Sequence, residues 1–225
     1  MNDTKLLADI DQEIMERDLL KHPFYQAWSE GALSIESLRG YAIQYYQFVN
    51  MFPRLLSAVH SNCEDLVTRQ SILENLAEEE NFEKPHPVLW LNFAKALSLS
   101  TEEITNSKSL EETEKAMEIL TDICRNRHYL AGSAALYAYE SRVPEIAGIK
   151  IDGLKKYYGI DGEKGLEYFT LHKEVDILHA EIWRNVISSE ELSEDVRNEI
   201  MDSVREAMSA YNMILDGVQR EYASA

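Results

Sequence analysis

Six residues between positions 169 and 186 have the types and spacing of a buried reactive face. Phe169, His172, Asp176, His179, Trp183 and Val186 follow one another at steps of three and four, so on an α-helix they share one side. The flanking members are apolar and turn that side inward. Three ionisable groups then lie in its middle, and a buried carboxylate without a partner costs several kcal/mol. Two arrangements supply the compensation: an internal Asp–His hydrogen-bond network, or a metal ion. A carboxylate followed three residues later by histidine is also a ligand spacing of helical di-iron bundles, where the two project from adjacent turns.

A metal on this face needs ligands from other helices. Glu140 ends a stripe formed by Tyr129, Ser133, Leu136 and Tyr137 and lies four residues before Pro144. Proline cannot donate to the Glu140 carbonyl, so the helix is expected to kink at a buried acid. The run Glu78-Glu79-Glu80-Asn81 precedes Pro85-His86-Pro87, with Ile72 and Leu76 leading into it on the inner face. Angle does not choose among Glu79, Glu80 and Glu83, which all lie within about 60° of Leu76. Taken alone, the run also reads as a solvated helix end and His86 as a structural turn. With Glu79 as the acidic member, the set is Glu79, His86, Glu140, His172, Asp176 and His179. Three carboxylates against two divalent cations leave one positive charge for a bridging hydroxide to cancel. Oxygen donors with imidazole, and no thiolate, suit iron and manganese. Such a site points to oxygen chemistry.

The elements that must position these groups are helices. Gly and Pro together number only 14 of 225 residues, counting Gly 9 and Pro 5. Few turn residues imply long elements. Three-four spacing predicts helices at about 4–20, 23–30, 34–62, 64–82, 87–98, 110–126, 128–157, 163–187 and 193–222, with a short turn of helix after Ser100. The last is the clearest: Val196, Ile200, Val204, Met208, Tyr211, Leu215, Val218 and Tyr222 form one stripe behind a capping Ser193 and the acids Glu194 and Asp195. Pro53 and Pro144 are expected to kink long helices, and Gly159 to Gly165 to form a loop. The expectation is an all-α bundle of seven or more helices in one domain, 1–225.

Charge and cysteine content narrow the function. Lys plus Arg total 22 against 40 Asp plus Glu, a formal net charge of -18 at pH 7. That balance argues against nucleic acid and against an anionic membrane surface, both of which need clustered cations. No apolar run is long enough to span a bilayer, and the acidic N-terminus is unlike a signal peptide, which makes the cytoplasm the expected location. Cys63 and Cys124 are too few for a disulfide framework and read as reduced thiols.

The sequence resembles the haem-oxygenase-like di-metal oxidases of the TenA/thiaminase and pyrroloquinoline-quinone synthase superfamily, most of all its p-aminobenzoate-forming chlamydial branch. The likeness is carried by HPFYQAWSEG (22–31), YAIQYYQFVNMFPRLLSAVHSNCEDL (41–66), EEENFEKPHPVLW (78–90), AALYAYESRVPEIAGIK (134–150) and HKEVDILHA (172–180). It covers almost the whole chain and implies a haem-oxygenase-like helical bundle. It implies metal ligands at Glu79, His86, Glu140, His172, Asp176 and His179, and so decides among the glutamates. In the family the ring of p-aminobenzoate is thought to come from a tyrosine of the enzyme itself. The matching position is Tyr25, with Lys150 as the matching amine donor and Tyr41 and Tyr139 as further tyrosines near that site. From residue type alone, Tyr25 reads as an amphipathic anchor and Lys150 as a surface residue.

The resemblance further implies two metal ions (two irons, or iron with manganese), O2, an external reductant and a homodimer. The sequence carries no flavin or nicotinamide motif to supply electrons. An enzyme that consumes its own side chain turns over about once. Thiamin hydrolysis is disfavoured, because the stretch from Gly132 to Glu140 lacks the cysteine nucleophile of that branch. The quinone-synthase branch lacks the full carboxylate set. Two rivals remain at this level: a di-iron oxidase of an external small molecule, and an interaction protein, since the chlamydial branch is named for association with death domains and the acidic charge could steer a basic partner.

Overall fold

A computed structural model describes residues 4–188 and 192–223. In chain order the helices are α1 (Thr4–Glu16), a 3-10 turn (Leu19–Lys21), α2 (Pro23–Glu30), α3 (Ile35–Asn62), α4 (Leu66–Glu79), α5 (His86–Ala96), α6 (Thr101–Thr105), α7 (Glu111–Asn126), α8 (Tyr129–Glu140), α9 (Val143–Tyr157), α10 (Glu163–Ile187) and α11 (Glu194–Tyr222). No strand occurs among the described residues. Polar caps start several helices where orphan backbone N–H groups need acceptors. Ser34 accepts from the Ser37 amide at 3.0 Å, Asp65 from Thr68 at 2.7 Å, and Ser193 from Val196 at 3.4 Å. The short helix expected after Ser100 is α6, closed by a reciprocal Ser100–Glu103 capping box.

α8 is the central element: every residue from Leu130 to Glu140 is buried. It packs on α11, α10, α7 and α3, so a polar side chain on it faces protein. α10 lies beside it and packs also on α9 and α5. The buried positions of α10 include Phe169, His172, Asp176, His179, Trp183 and Val186, the inward face expected from their spacing.

Two expected helices are broken. The stretch 128–157 is not one kinked helix: α8 stops at Glu140 and α9 begins at Val143. Pro144 stands in the first turn of α9, where its missing N–H is harmless, and that same missing donor ends the ladder of α8. The stretch 4–20 likewise ends at Glu16, because Asp18 turns its carboxylate to the Leu20 amide, 3.1 Å away, and caps the 3-10 turn instead. Pro53, by contrast, lies inside α3 without ending it.

Gly31 closes α2 in the left-handed region at φ 71, a conformation glycine adopts without strain. Gly153 lets α9 approach α2: a Cβ there would lie 2.7 Å from Trp28 Cδ1. Trp28 Nε1 donates to the Lys150 carbonyl at 3.3 Å, so this close crossing fixes where Lys150 enters the core. No described helix is long and apolar enough to cross a membrane. Cys63 and Cys124 are buried and not disulfide-bonded.

Candidate metal centre

The six side chains gather as two triads, Glu79 with His86 and His172, and Glu140 with Asp176 and His179. All six are buried. Within each triad, atoms able to bind a metal lie within 4.8 Å of one another. In the first triad, His86 Nδ1 is 2.9 Å and His172 Nε2 3.7 Å from the two Glu79 oxygens. In the second, His179 Nδ1 is 3.1 Å from Asp176 Oδ1 and 3.3 Å from Glu140 Oε1. Such spacings suit donors that share one ion at about 2.0–2.2 Å.

The local structure explains how the acids arrive. Thr68, Ile72, Asn75 and Glu79 are the buried positions of α4, at three-four spacing, and Glu79 is its last residue. Glu140 is the last residue of α8. A carboxylate at a helix C-terminus meets the negative end of the helix dipole, where a cation is favoured. Both acids are therefore placed where they need positive charge nearby. Pro85 and Pro87 bracket His86 and start α5 at that histidine.

Two observations test whether metal fits. Asp176 Oδ2, in the second triad, is a buried atom without a hydrogen-bond partner, although nearly all buried polar groups find one. The second is the proton balance. Burial opposes ionisation of Glu79, but His172 and His86 outweigh it and hold its carboxyl at about 2. Burial works against a charged His172 too, but Asp176 and Glu79 lift it to about 9. For His179 burial is again outweighed, by Asp176 and Glu140, which lift it to about 11. Asp176 is pushed up to about 6 by burial, with His172 and His179 opposing. Protons on imidazole here do the work a cation would do, and the donor set suits hard divalent ions with oxygen and nitrogen ligands.

Further contacts hold the ligands. Asn75 donates to Glu140 Oε1 at 2.9 Å, and Trp183 Nε1 donates to Glu140 Oε2. His172 Nδ1 donates to the Tyr168 carbonyl at 2.7 Å, which leaves Nε2 for the triad. Sequence reading treats Trp183 only as an apolar flank and does not single out Asn75. The available signal for Asn75 was its position four residues before Glu79 on the same face.

A cavity of about 10 Å³ lies between the triads, lined among others by Glu79, His172, Glu140, Asp176, Tyr139 and Tyr168. That is room for about one water molecule. Of the four other expected site residues, Tyr139 lines this cavity, whereas Tyr25, Tyr41 and Lys150 form a second cluster. Tyr41 Oη receives a hydrogen bond from Lys150 Nζ at 2.6 Å and pairs with Tyr25 Oη at 3.2 Å. Lys150 Nζ is 4.5 Å from the Tyr25 ring centroid. Lys150 is 5% exposed, not a surface lysine, and burial pulls its pKa well below the usual value. Burial also pushes the Tyr25, Tyr41 and Tyr139 phenols well up, so they keep their protons. Tyr45 joins the clusters: its hydroxyl donates to Tyr139 Oη at 3.4 Å, and its ring lies 4.8 Å from that of Tyr41. Sequence reading does not separate Tyr45 from the other core tyrosines.

Comparison with known proteins places this arrangement. The chain has the haem-oxygenase-like fold: a domain of Shewanella denitrificans described as having that fold superposes with a TM-score of 0.82 at 17% identity, covering 99% of this chain and 94% of the other. The family described as "Iron-containing redox enzyme" matches residues 39–212, and the chain belongs to it. Among curated relatives, the 4-aminobenzoate synthase of Nitrosomonas europaea is 41% identical, covering 96% of this chain and 91% of its own. The 4-aminobenzoate synthase of Chlamydia muridarum is 38% identical, over 93% and 88% respectively.

Proposed function

We propose that this chain is an O2-dependent di-metal oxygenase that makes p-aminobenzoate from the ring of its own Tyr25, with Lys150 supplying the amine. The observation that carries this reading is the Lys150–Tyr25 pair: a buried lysine amine 4.5 Å from a buried phenol ring. The names of the relatives support the product. Glu79, His86 and His172 would hold one metal, and Glu140, Asp176 and His179 the other, as two irons or as iron with manganese. When bound, these ions supply O2 activation and accept electrons from an external donor.

The chain's own residues do the rest. Burial favours the neutral amine of Lys150, whose lone pair can add at the hydroxyl-bearing carbon once oxidant derived from O2 has withdrawn electrons from the ring. The hydroxyl oxygen leaves as water. Product release breaks the Lys150 Cε–Nζ and Tyr25 Cα–Cβ bonds, with Cβ oxidised to the carboxylate at the expense of O2 and the external reductant. Tyr41 Oη binds both the Lys150 nitrogen and the Tyr25 hydroxyl, and so holds the incoming nitrogen beside the outgoing oxygen. Trp28 fixes the Lys150 backbone, and the aromatic walls around the amine exclude water. Tyr139 and Tyr45 span the space between the metal cavity and the reacting pair.

A cavity of about 10 Å³ does not admit an organic substrate, which favours a built-in one over an external small molecule. We further read the chain as a single domain over 1–225, homodimeric and cytoplasmic, in keeping with the family resemblance. The test is mass spectrometry of protein loaded with iron and manganese and given reductant and O2 but no organic substrate. The expected result is p-aminobenzoate, at no more than one equivalent per chain, together with loss of intact Tyr25. No product from fully loaded protein overturns the reading in favour of an external substrate.

A further inference from the structure

We propose that Glu78 is a positioning residue for the second metal site, a role that rests on the di-metal reading above. His179 has two ring nitrogens with different surroundings. Nδ1 faces Asp176 Oδ1 at 3.1 Å and Glu140 Oε1 at 3.3 Å, while Nε2 meets Glu78 Oε2 at 2.9 Å. An imidazole binds metal through the nitrogen that carries no proton, and the hydrogen bond of the other nitrogen decides which that is. With its proton on Nε2 and donated to Glu78, His179 turns its Nδ1 lone pair into the triad.

Glu78 is the residue before Glu79 on the last turn of α4, yet its carboxylate serves the other triad. It is also unlike the buried acids: its side chain is 53% exposed, against 3% for His179. A solvated glutamate thus reaches inward to a buried ring. The first triad has a different device at the matching place, since His172 Nδ1 is held by the neutral Tyr168 carbonyl. A carboxylate partner makes an imidazole a stronger donor than a carbonyl does. The two metal positions therefore differ beyond their direct ligands.

The test is a titration of the metal-free protein with Mn2+ alone, following free Mn2+ by electron paramagnetic resonance. Five forms are compared: wild type, Glu78→Ala, Glu78→Gln, His179→Ala and the Glu78→Ala/His179→Ala double variant. Glu78→Ala is expected to weaken one of two Mn2+ sites by roughly 10–100-fold and leave the other unchanged. Glu78→Gln keeps an oxygen acceptor for the Nε2 proton and is expected to recover most of the loss. Adding Glu78→Ala to His179→Ala should cost nothing further, because the ring it orients is gone. The metal-free Glu78→Ala protein should keep the wild-type helical circular-dichroism spectrum at the titration temperature, so that a weakened site is not a lost fold. The inference is overturned by wild-type affinity in Glu78→Ala while His179→Ala loses a site, or by Gln and Ala variants that lose equally. Two intact sites in His179→Ala overturn the ligand assignment itself, and the inference with it.

Discussion

The hydroxyl of Tyr45 donates to that of Tyr139 across 3.4 Å, and this pair bridges two otherwise separate clusters. Tyr139 lines the cavity between the triads. The Tyr45 ring lies beside Tyr41, whose hydroxyl holds Lys150 and Tyr25. In the proposed reaction, oxidising power supplied by bound metals would have this aromatic path to the Tyr25 ring.

Tyr45→Phe removes the bridging hydroxyl and keeps the ring. Metal content should stay at the wild-type value, while p-aminobenzoate forms at least about tenfold more slowly, equivalent to roughly 1.4 kcal/mol of barrier. Single-turnover product formation in metal-loaded protein measures this. A wild-type rate would remove Tyr45 from the path.

Tyr25→Phe should bind both metals and make no product, because the reacting hydroxyl is absent. Metal analysis and mass spectrometry on one sample decide it. Normal product from this variant would falsify the sacrificial role.

Lys150→Met should abolish product yet raise stability. Burial depresses the lysine pKa, so the folded state binds fewer protons than the unfolded chain. That costs stability below the ordinary lysine value and costs progressively more as pH falls. Methionine fills similar space without a charge to desolvate. Each kcal/mol gained lifts the Tm of a chain this size by roughly 2–4 °C, so the variant should melt measurably higher at pH 7. An equal or lower Tm contradicts the prediction.

Metal binding should release protons from His172 and His179. Their pKa values rise from 6.5 to about 9 and about 11 in the metal-free fold, whereas a bound ligand nitrogen must be unprotonated. Calorimetric titration at pH 7 in buffers of different ionisation enthalpy should detect that release. The sign for stability follows. The histidine contributions are complete below about pH 6.5 and fade as pH rises through the folded values. The Glu79 contribution is present above about 4.5 and fades as pH falls toward 2. Metal-free protein should melt lower at pH 9 than at pH 6, and loading with metal should flatten that difference.

Much of this site is legible in the sequence because helical periodicity is a strong signal. The inward face of α10 follows from steps of three and four alone. The gathering of Glu79, His86 and Glu140 around it does not, since spacing within one helix says nothing of which helices meet. Glu79 stands apart from Glu78 and Glu80 because it continues the buried stripe of Thr68, Ile72 and Asn75, a stripe with a single apolar member and so a weak periodic signal in the sequence. Pro144 signals a disruption, but kink and break differ by where the next helix packs, which is tertiary. Lys150 is the sharpest case. Residue type predicts a surface lysine, and only the crossing of α9 over Trp28 places it in the core.

The burial of Tyr25 has one more consequence. Its ring is packed among Phe24, Tyr41 and the Lys150 side chain and is 2% exposed. A molecule that has surrendered this ring carries a void where a large core side chain stood, and such voids cost about 3–5 kcal/mol. Against a total stability of roughly 5–15 kcal/mol, the spent chain is a different substrate for the cell's proteases. On the proposed reaction, chemistry and retirement would be coupled: the event that ends the useful life of the molecule would also mark it for removal, and the supply of product would be metered by synthesis of new chains.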